Sequence, residues 1–143
     1  ASPQIAPTST SSTEEFFMSL TQPEIALKIA ESHLGLAYMW GGNNARTGFD
    51  CSGFVVEVLR SVGVLPIVGD WTAAMLLERF AHNKTAGLTR GNLVFWGDPA
   101  THVELIYEHS LASPTLTIGA SASAGFIQIR PMKPSPSAIV NPF

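Results

Sequence analysis

Cys51 is the only cysteine among 143 residues, and it stands in the run Gly48-Phe49-Asp50-Cys51-Ser52-Gly53-Phe54-Val55. That run reads as a loop passing into an amphipathic helix, with the thiol in the first turn. Unpaired amide hydrogens and the helix dipole favour negative charge there, and so favour a thiolate. A thiolate attacks carbonyl carbon when a base can take its proton, and histidine is the common base. A lone cysteine has no internal disulfide partner, which keeps it available and says little about redox compartment.

Four histidines compete for the role of base. His33 falls near the end of the first predicted helix, where a solvated or core-edge imidazole is expected. His82 and His109 lie at element ends and read as surface residues. His102 opens the run Thr101-His102-Val103-Glu104-Leu105-Ile106-Tyr107 directly after a polar loop. The start of a strand on a rigid sheet is a place where a general base can be held. By pattern alone, a satisfied structural histidine is an equal reading. One cysteine and scattered histidines show none of the short spacings of a zinc site, so neither metal nor cofactor is expected.

These residues need elements to carry them. Thr21-Gln22-Pro23-Glu24 has capping-box spacing, and Ile25, Ala26, Ile29, Ala30 and Leu34 recur at helical period until Gly35. A second helix from about Cys51 turns Phe54, Val55, Val58, Leu59 and Val62 inward and stops at Gly63. Asp70 is the expected cap of a third, carrying Ala74, Leu77 and Phe80. Beyond Arg90-Gly91 the pattern changes to strands at 93–96, 102–107, 115–121 and 125–130. Helices followed by an antiparallel meander make an α+β domain, with the first helices on one face of the sheet.

Composition narrows the partners. Apolar residues are 45% of the chain and charged ones 13%, against the ~25% charged of ordinary globular proteins. A net charge of −3 with scattered Lys and Arg leaves no footprint for nucleic acid. No apolar run approaches the ~20 residues of a membrane span. The chain starts at Ala1, which reads as a processed or excised chain without a signal peptide. Residues 1–13 are rich in Ser, Thr and Pro and read as a flexible leader, tethering the domain at 14–130 to other domains or proteins. The tail, 131–143, holds four prolines and is expected to wrap the surface as irregular chain.

Tyr38-Met39-Trp40-Gly41-Gly42, Asp50-Cys51-Ser52-Gly53-Phe54-Val55, Arg90-Gly91-Asn92-Leu93-Val94-Phe95 and His102-Val103 occur in that order. Together they resemble the NlpC-type cysteine endopeptidases of bacterial cell walls, a papain-like α+β family, over about residues 22 to 130. The resemblance implies Cys51 as nucleophile and His102 as base, with the Tyr38 hydroxyl near the oxyanion or the substrate. It also implies that Asp50 and Ser52 meet the free amine of the first alanine of the substrate. On the residues alone Asp50 is an ideal helix cap, and Ser52 may only bond back to its loop. Trp40 and Trp96 are candidates for the cleft wall, although aromatics beside a sheet usually belong to the core.

The chain departs from the family pattern at Ala37, usually proline, at Asn92, commonly aspartate, and at Glu104, commonly small. A larger departure concerns the third catalytic residue. The family carries His, Asn or Gln on the strand after the base, and the matching position here is Gly119. A turn near Leu111 would set Gly119 to Ser121 across from His102. The group orienting His102 is therefore a backbone carbonyl near Gly119, Ser121, Glu104 or Gln128. The register favours the carbonyl or Ser121, because Glu104 starts ~7 Å along the same strand.

The expected function is hydrolysis of amide bonds in peptidoglycan stem peptides through a Cys-His thioester, at the γ-D-glutamyl–diamino acid bond that the family usually cuts. Such an enzyme works outside the cytoplasm, or in a phage tail. The alternatives are a weakly active or inactive cell-wall-binding or phage tail domain, prompted by Gly119 and the Ser/Thr/Pro-rich leader, and an acyltransferase or amidase using the same dyad.

Overall fold

A computed structural model describes residues 20–44 and 48–143; the leader expected at 1–13 lies outside them. Helix α1 (Gln22–Glu31) begins where Thr21 Oγ1 accepts the Glu24 N–H at 3.4 Å, with Pro23 in the first turn. Its buried face is Ala26, Leu27 and Ala30. The predicted face is thus rotated: Ile25 is largely exposed and Leu27 takes the core position. The two alanines let this helix lie close to its neighbour. Two polar ties bind it to the sheet, Arg90 Nε to Glu24 at 2.9 Å and Tyr107 OH to Glu31 at 2.7 Å.

A two-stranded ribbon, β1 (Asn43–Asn44) and β2 (Gly48–Phe49), leads into helix α2 (Cys51–Ser61). Helix α2 buries Phe54, Val55, Val56, Val58 and Leu59, and Gly63 leaves it with φ +78°. Helix α3 (Ala73–Arg79) starts two residues later than expected. Its cap is Thr72, whose hydroxyl accepts the Met75 N–H at 3.1 Å, and its core residues are Ala73 and Leu76. Asp70 lies outside the helix, so the predicted register was displaced. A 3-10 turn, Ala81–Asn83, follows.

The sheet contains β3 (Leu93–Trp96), β4 (His102–Ser110), β5 (Ser113–Ser121), β6 (Phe126–Pro131) and β7 (Ala138–Val140), antiparallel in the order β6-β5-β4-β3-β7. Strand β7 corrects the expectation for the tail. Proline count suggested irregular chain, but Ala138-Ile139-Val140 is free of proline and pairs with Phe95, Val94 and Leu93, and Val140 is buried. At the opposite edge, Gly35 donates to Ile127 O and Ile127 N–H donates to Leu36 O, both at 2.9 Å.

Side-chain alternation divides the sheet into two faces. Leu93, Phe95, Val103, Leu105, Ile118, Ala120 and Ile127 join the helices in the hydrophobic core. His102, Glu104, Thr117, Gly119, Ser121 and Arg130 fall on the alternate positions, which point to the other face. Among the described residues no helix is long and apolar enough to cross a membrane.

Candidate active site

Asp50 sets the position of Cys51. Its Oδ1 accepts the Gly53 N–H at 2.6 Å, closing the first turn of α2 with the thiol in it. The sulfur lies 3.9 Å from Thr101 O, immediately before β4. Thus the helix start and the strand start converge, and Cys51 and His102 line one cleft of about 580 Å³. Tyr38, Trp40, Asp50, Ser52 and Ser121 line it as well. The sequence placed both ends of the pair on the right elements.

Tyr38 is held from two sides. Its N–H donates to Gly125 O at 2.8 Å, while Phe49 N–H donates to Ala37 O and Met39 N–H to Phe49 O. That strap packs tightly against Gly48, where φ is +113° and a Cβ would stand 2.5 Å from Ala37 O. Only glycine satisfies both conditions. The phenol pKa is raised, first by burial and then by the negative charges of Cys51 and Asp50, which keeps the hydroxyl a donor.

Ser52 Oγ lies 3.4 Å from Asp50 Oδ1, so the serine does bond back toward its loop while still lining the cleft. Trp40 is 87% exposed on the cleft wall rather than in a core. The Trp96 ring packs on the imidazole of His102, with centroids 5.5 Å apart. The other histidines sit elsewhere. His33 bonds Ile29 O and packs on Phe49 and Phe54 at the core edge, and His82 and His109 are exposed.

The group beside His102 is Glu104, which the register argument ranked below Ser121 and a backbone carbonyl. Its Oε2 lies 2.5 Å from His102 Nε2. Strand spacing measured from the backbone misled here, because a glutamate side chain is long enough to bend back along its own strand. The pairing Leu105↔Ile118 continues to place Gly119 opposite Glu104 and Ser121 opposite His102. Glu104 is fully buried, and its Oε1 accepts from Thr117 Oγ1 at 2.7 Å and from Arg130 Nε at 3.3 Å. Arg130 Nη2 also donates to Oε2. Gln128 pairs with Gly119 across the β5–β6 ladder, and Arg130, two residues on, is the one that reaches the site. Arg130 was not anticipated. The available signal was Glu104 itself, since an inward carboxylate on a central strand calls for a cation.

Charge follows from these contacts. Burial opposes a charged imidazole, yet hydrogen bonds to Cys51 and Glu104 and their negative charges overcome it and raise the His102 pKa to about 9. Burial likewise opposes the Glu104 carboxylate, but bonds from His102, Arg130 and Thr117 bring its pKa down to about 2. The two shifts describe one ion pair and agree in direction. Near neutrality the site holds an imidazolium against the Glu104 carboxylate, in the same cleft as the Cys51 sulfur, and a cation so placed favours a thiolate.

Comparison with known proteins gives the same picture. The sequence model of the NlpC/P60 family matches residues 35–132, more than half of the chain. The peptidoglycan endopeptidase RipB of Mycobacterium tuberculosis is 30% identical, over 77% of this chain and 48% of RipB. The bifunctional muramidase/DL-endopeptidase CwlT of Bacillus subtilis is 36% identical over 52% of this chain and 22% of its own length. The murein DD-endopeptidase MepH of Escherichia coli is 32% identical over 51% of this chain and 27% of its own. The chain spans about half or less of these curated relatives. Among solved structures, the NlpC/p60 domain of the peptidoglycan hydrolase SagA superposes with a TM-score of 0.67 at 27% identity, covering 83% of this chain and 97% of that domain. RipB also superposes with a TM-score of 0.67 at 27% identity, covering 84% and 64%. Ordered motifs, papain-like α+β fold and matched relatives agree: the chain belongs to the NlpC/P60 family.

Proposed function

We propose that this chain hydrolyses an amide bond in peptidoglycan stem peptides through a thioester on Cys51. The observation that carries the reading is the placement of His102, with Nε2 on Glu104 and with Cys51 lining the wall of the same open cleft. In the first half-reaction the Cys51 thiolate adds to the scissile carbonyl. The oxyanion faces amide hydrogens at the start of α2 and the Tyr38 hydroxyl. The His102 imidazolium gives its proton to the leaving amine as the carbon–nitrogen bond breaks. In the second, neutral His102 takes a proton from water, the hydroxide adds to the thioester, and Cys51 leaves as thiolate.

Asp50, Ser52 and Tyr38 line the same cleft and are the groups proposed to receive a free amine on the substrate. The γ-D-glutamyl–diamino acid bond is the proposed target; the names of the relatives include both DL- and DD-endopeptidases. The substrate lies outside the cytoplasmic membrane, so the proposed place of action is extracytoplasmic. The relatives described above are bacterial proteins, which favours a cellular enzyme over a phage tail component. Gly119 and the Ser/Thr/Pro-rich leader were the reasons to consider a binding domain without turnover, and Glu104 beside His102 speaks against the first of them.

Incubation of the purified protein with cell-wall fragments, followed by mass spectrometry, tests the reading. New free termini at one stem-peptide bond are expected, absent with Cys51→Ala. Intact fragments with the wild-type protein would defeat it, and transfer of the acyl group to an added amine instead of water would make it an acyltransferase.

A further inference from the structure

The carboxylate and the glycine on neighbouring strands are coupled. An added Cβ at Gly119 would stand 2.5 Å from Glu104 Cγ, 3.1 Å from Cδ and 3.2 Å from Cβ. No left-handed backbone explains glycine at this position; the space is needed by Glu104. The family's third residue would project from residue 119, where the resemblance places it. Glu104 fills that space from the strand that carries His102. The two solutions exclude each other sterically.

Arg130 completes the arrangement. It donates Nε to Glu104 Oε1 and Nη2 to Oε2, gripping both carboxylate oxygens, and its Nη1 lies 3.3 Å from Ser121 Oγ. Thr117 supplies a further donor. A buried carboxylate with a single partner would be free to rotate and costly to keep charged. Held by two side chains besides His102, Arg130 and Thr117, it has a fixed direction. A planar guanidinium suits that grip, which an ammonium cannot reproduce.

We propose that the role of the third catalytic residue has moved in this chain from position 119 to Glu104, with Arg130 as a positioning residue acting through Glu104 and with Gly119 required to make room. The inference rests on the reading of Cys51 and His102 as nucleophile and base. The groups that face the imidazole are Glu104 on β4, Arg130 on β6 and the Trp96 ring on β3, and Cys51, Ser121, Asp50, Tyr38 and Lys133 line the same cleft.

The test is an exchange. Glu104→Ala, Gly119→Asn, the double variant Glu104→Ala/Gly119→Asn, Arg130→Gln and Arg130→Lys are compared in three readouts. These are the rate of Cys51 alkylation by iodoacetamide at neutral pH, the His102 titration followed by nitrogen NMR, and kcat/KM on cell-wall fragments. Glu104→Ala and Gly119→Asn should each lower alkylation and kcat/KM by about 10²-fold, the lower end of what general acid–base catalysis contributes. The double variant should be faster than either single one, because removing the glutamate side chain frees the space that asparagine needs. Arg130→Gln should lower kcat with KM little changed and move the His102 midpoint, while Arg130→Lys recovers part of the loss. A double variant no faster than Glu104→Ala, or Glu104→Ala with the wild-type rate and His102 midpoint, would overturn the proposal. Should the variants fail to fold, wild-type NMR still decides: a His102 midpoint at the ordinary 6.5 overturns it, and one well above supports it. Alkylation and NMR need no peptidoglycan, so loss of the proposed substrate would leave this inference separately testable.

Discussion

The Asp50 carboxylate accepts the Gly53 N–H at 2.6 Å and at the same time lines the cleft beside Cys51. The residue that starts the helix of Cys51 therefore also lines the cleft, and capping and any contact with substrate separate by substitution. Asp50→Asn keeps a capping oxygen but removes the charge; Asp50→Ala removes both. Thermal melts should show a loss of about 1 kcal/mol for Asp50→Ala and much less for Asp50→Asn. If Asp50 receives the substrate amine, Asp50→Asn should slow cleavage of fragments with a free L-alanine amine more than of fragments with that amine acylated. Equal effects on both would leave Asp50 as a cap alone.

Cys51→Ala should abolish cleavage while leaving the fold intact. Alanine is the best helix former, and Cys51 is only partly buried, so neither propensity nor packing gives a large loss. Circular dichroism and product analysis on the same sample check both halves. Residual turnover above background would mean that the thiol is not the nucleophile.

Tyr38→Phe removes a donor that burial and nearby negative charge keep protonated. If the hydroxyl meets the oxyanion, kcat should fall by up to about 10²-fold with KM little changed, the size of effect seen for one oxyanion donor. A rise in KM with unchanged kcat would place the hydroxyl on bound substrate instead.

The His102–Glu104 pair also links stability to pH. His102 is raised from 6.5 to about 9, so its favourable contribution is complete below 6.5 and disappears as pH rises through about 9. Glu104 is lowered from 4.5 to about 2, so its contribution is complete above 4.5 and disappears as pH falls through about 2. Urea midpoints should therefore form a plateau across mildly acidic pH and decline on both sides. In Glu104→Ala the alkaline decline should be smaller and end at lower pH, and an unaltered profile would contradict the pairing.

The sequence was most informative where chemistry and local signals coincide. Asp50-Cys51-Ser52 at a helix start and His102 at a strand start follow from capping and periodicity, and both stand where the motif set them. Side-chain reach is what the chain pattern does not encode. Glu104 was judged by the spacing of strand residues, and Arg130 escaped notice because residues 104 and 130 meet only after three strands are paired. The buried arc of α1 depended on close helix packing through Ala26 and Ala30, a tertiary property that favoured Leu27 over Ile25. Proline content concealed β7, whose three paired residues are too few to give a periodic signal.

The family match ends at residue 132, but the sheet ends at Val140. A chain cut between these points would uncover the ladder groups of Leu93, Val94 and Phe95, because among the described residues β7 is the strand that pairs with that side of β3. The far border, on β6, is already blunted by the hydrogen bonds of Gly35 and Leu36. The last eleven residues thus serve solubility as much as stability: without them an apolar strand offers its backbone to any passing copy, an invitation to edge-to-edge aggregation. Light scattering of the chain shortened to residue 132 should show concentration-dependent self-association that the full 143 residues avoid.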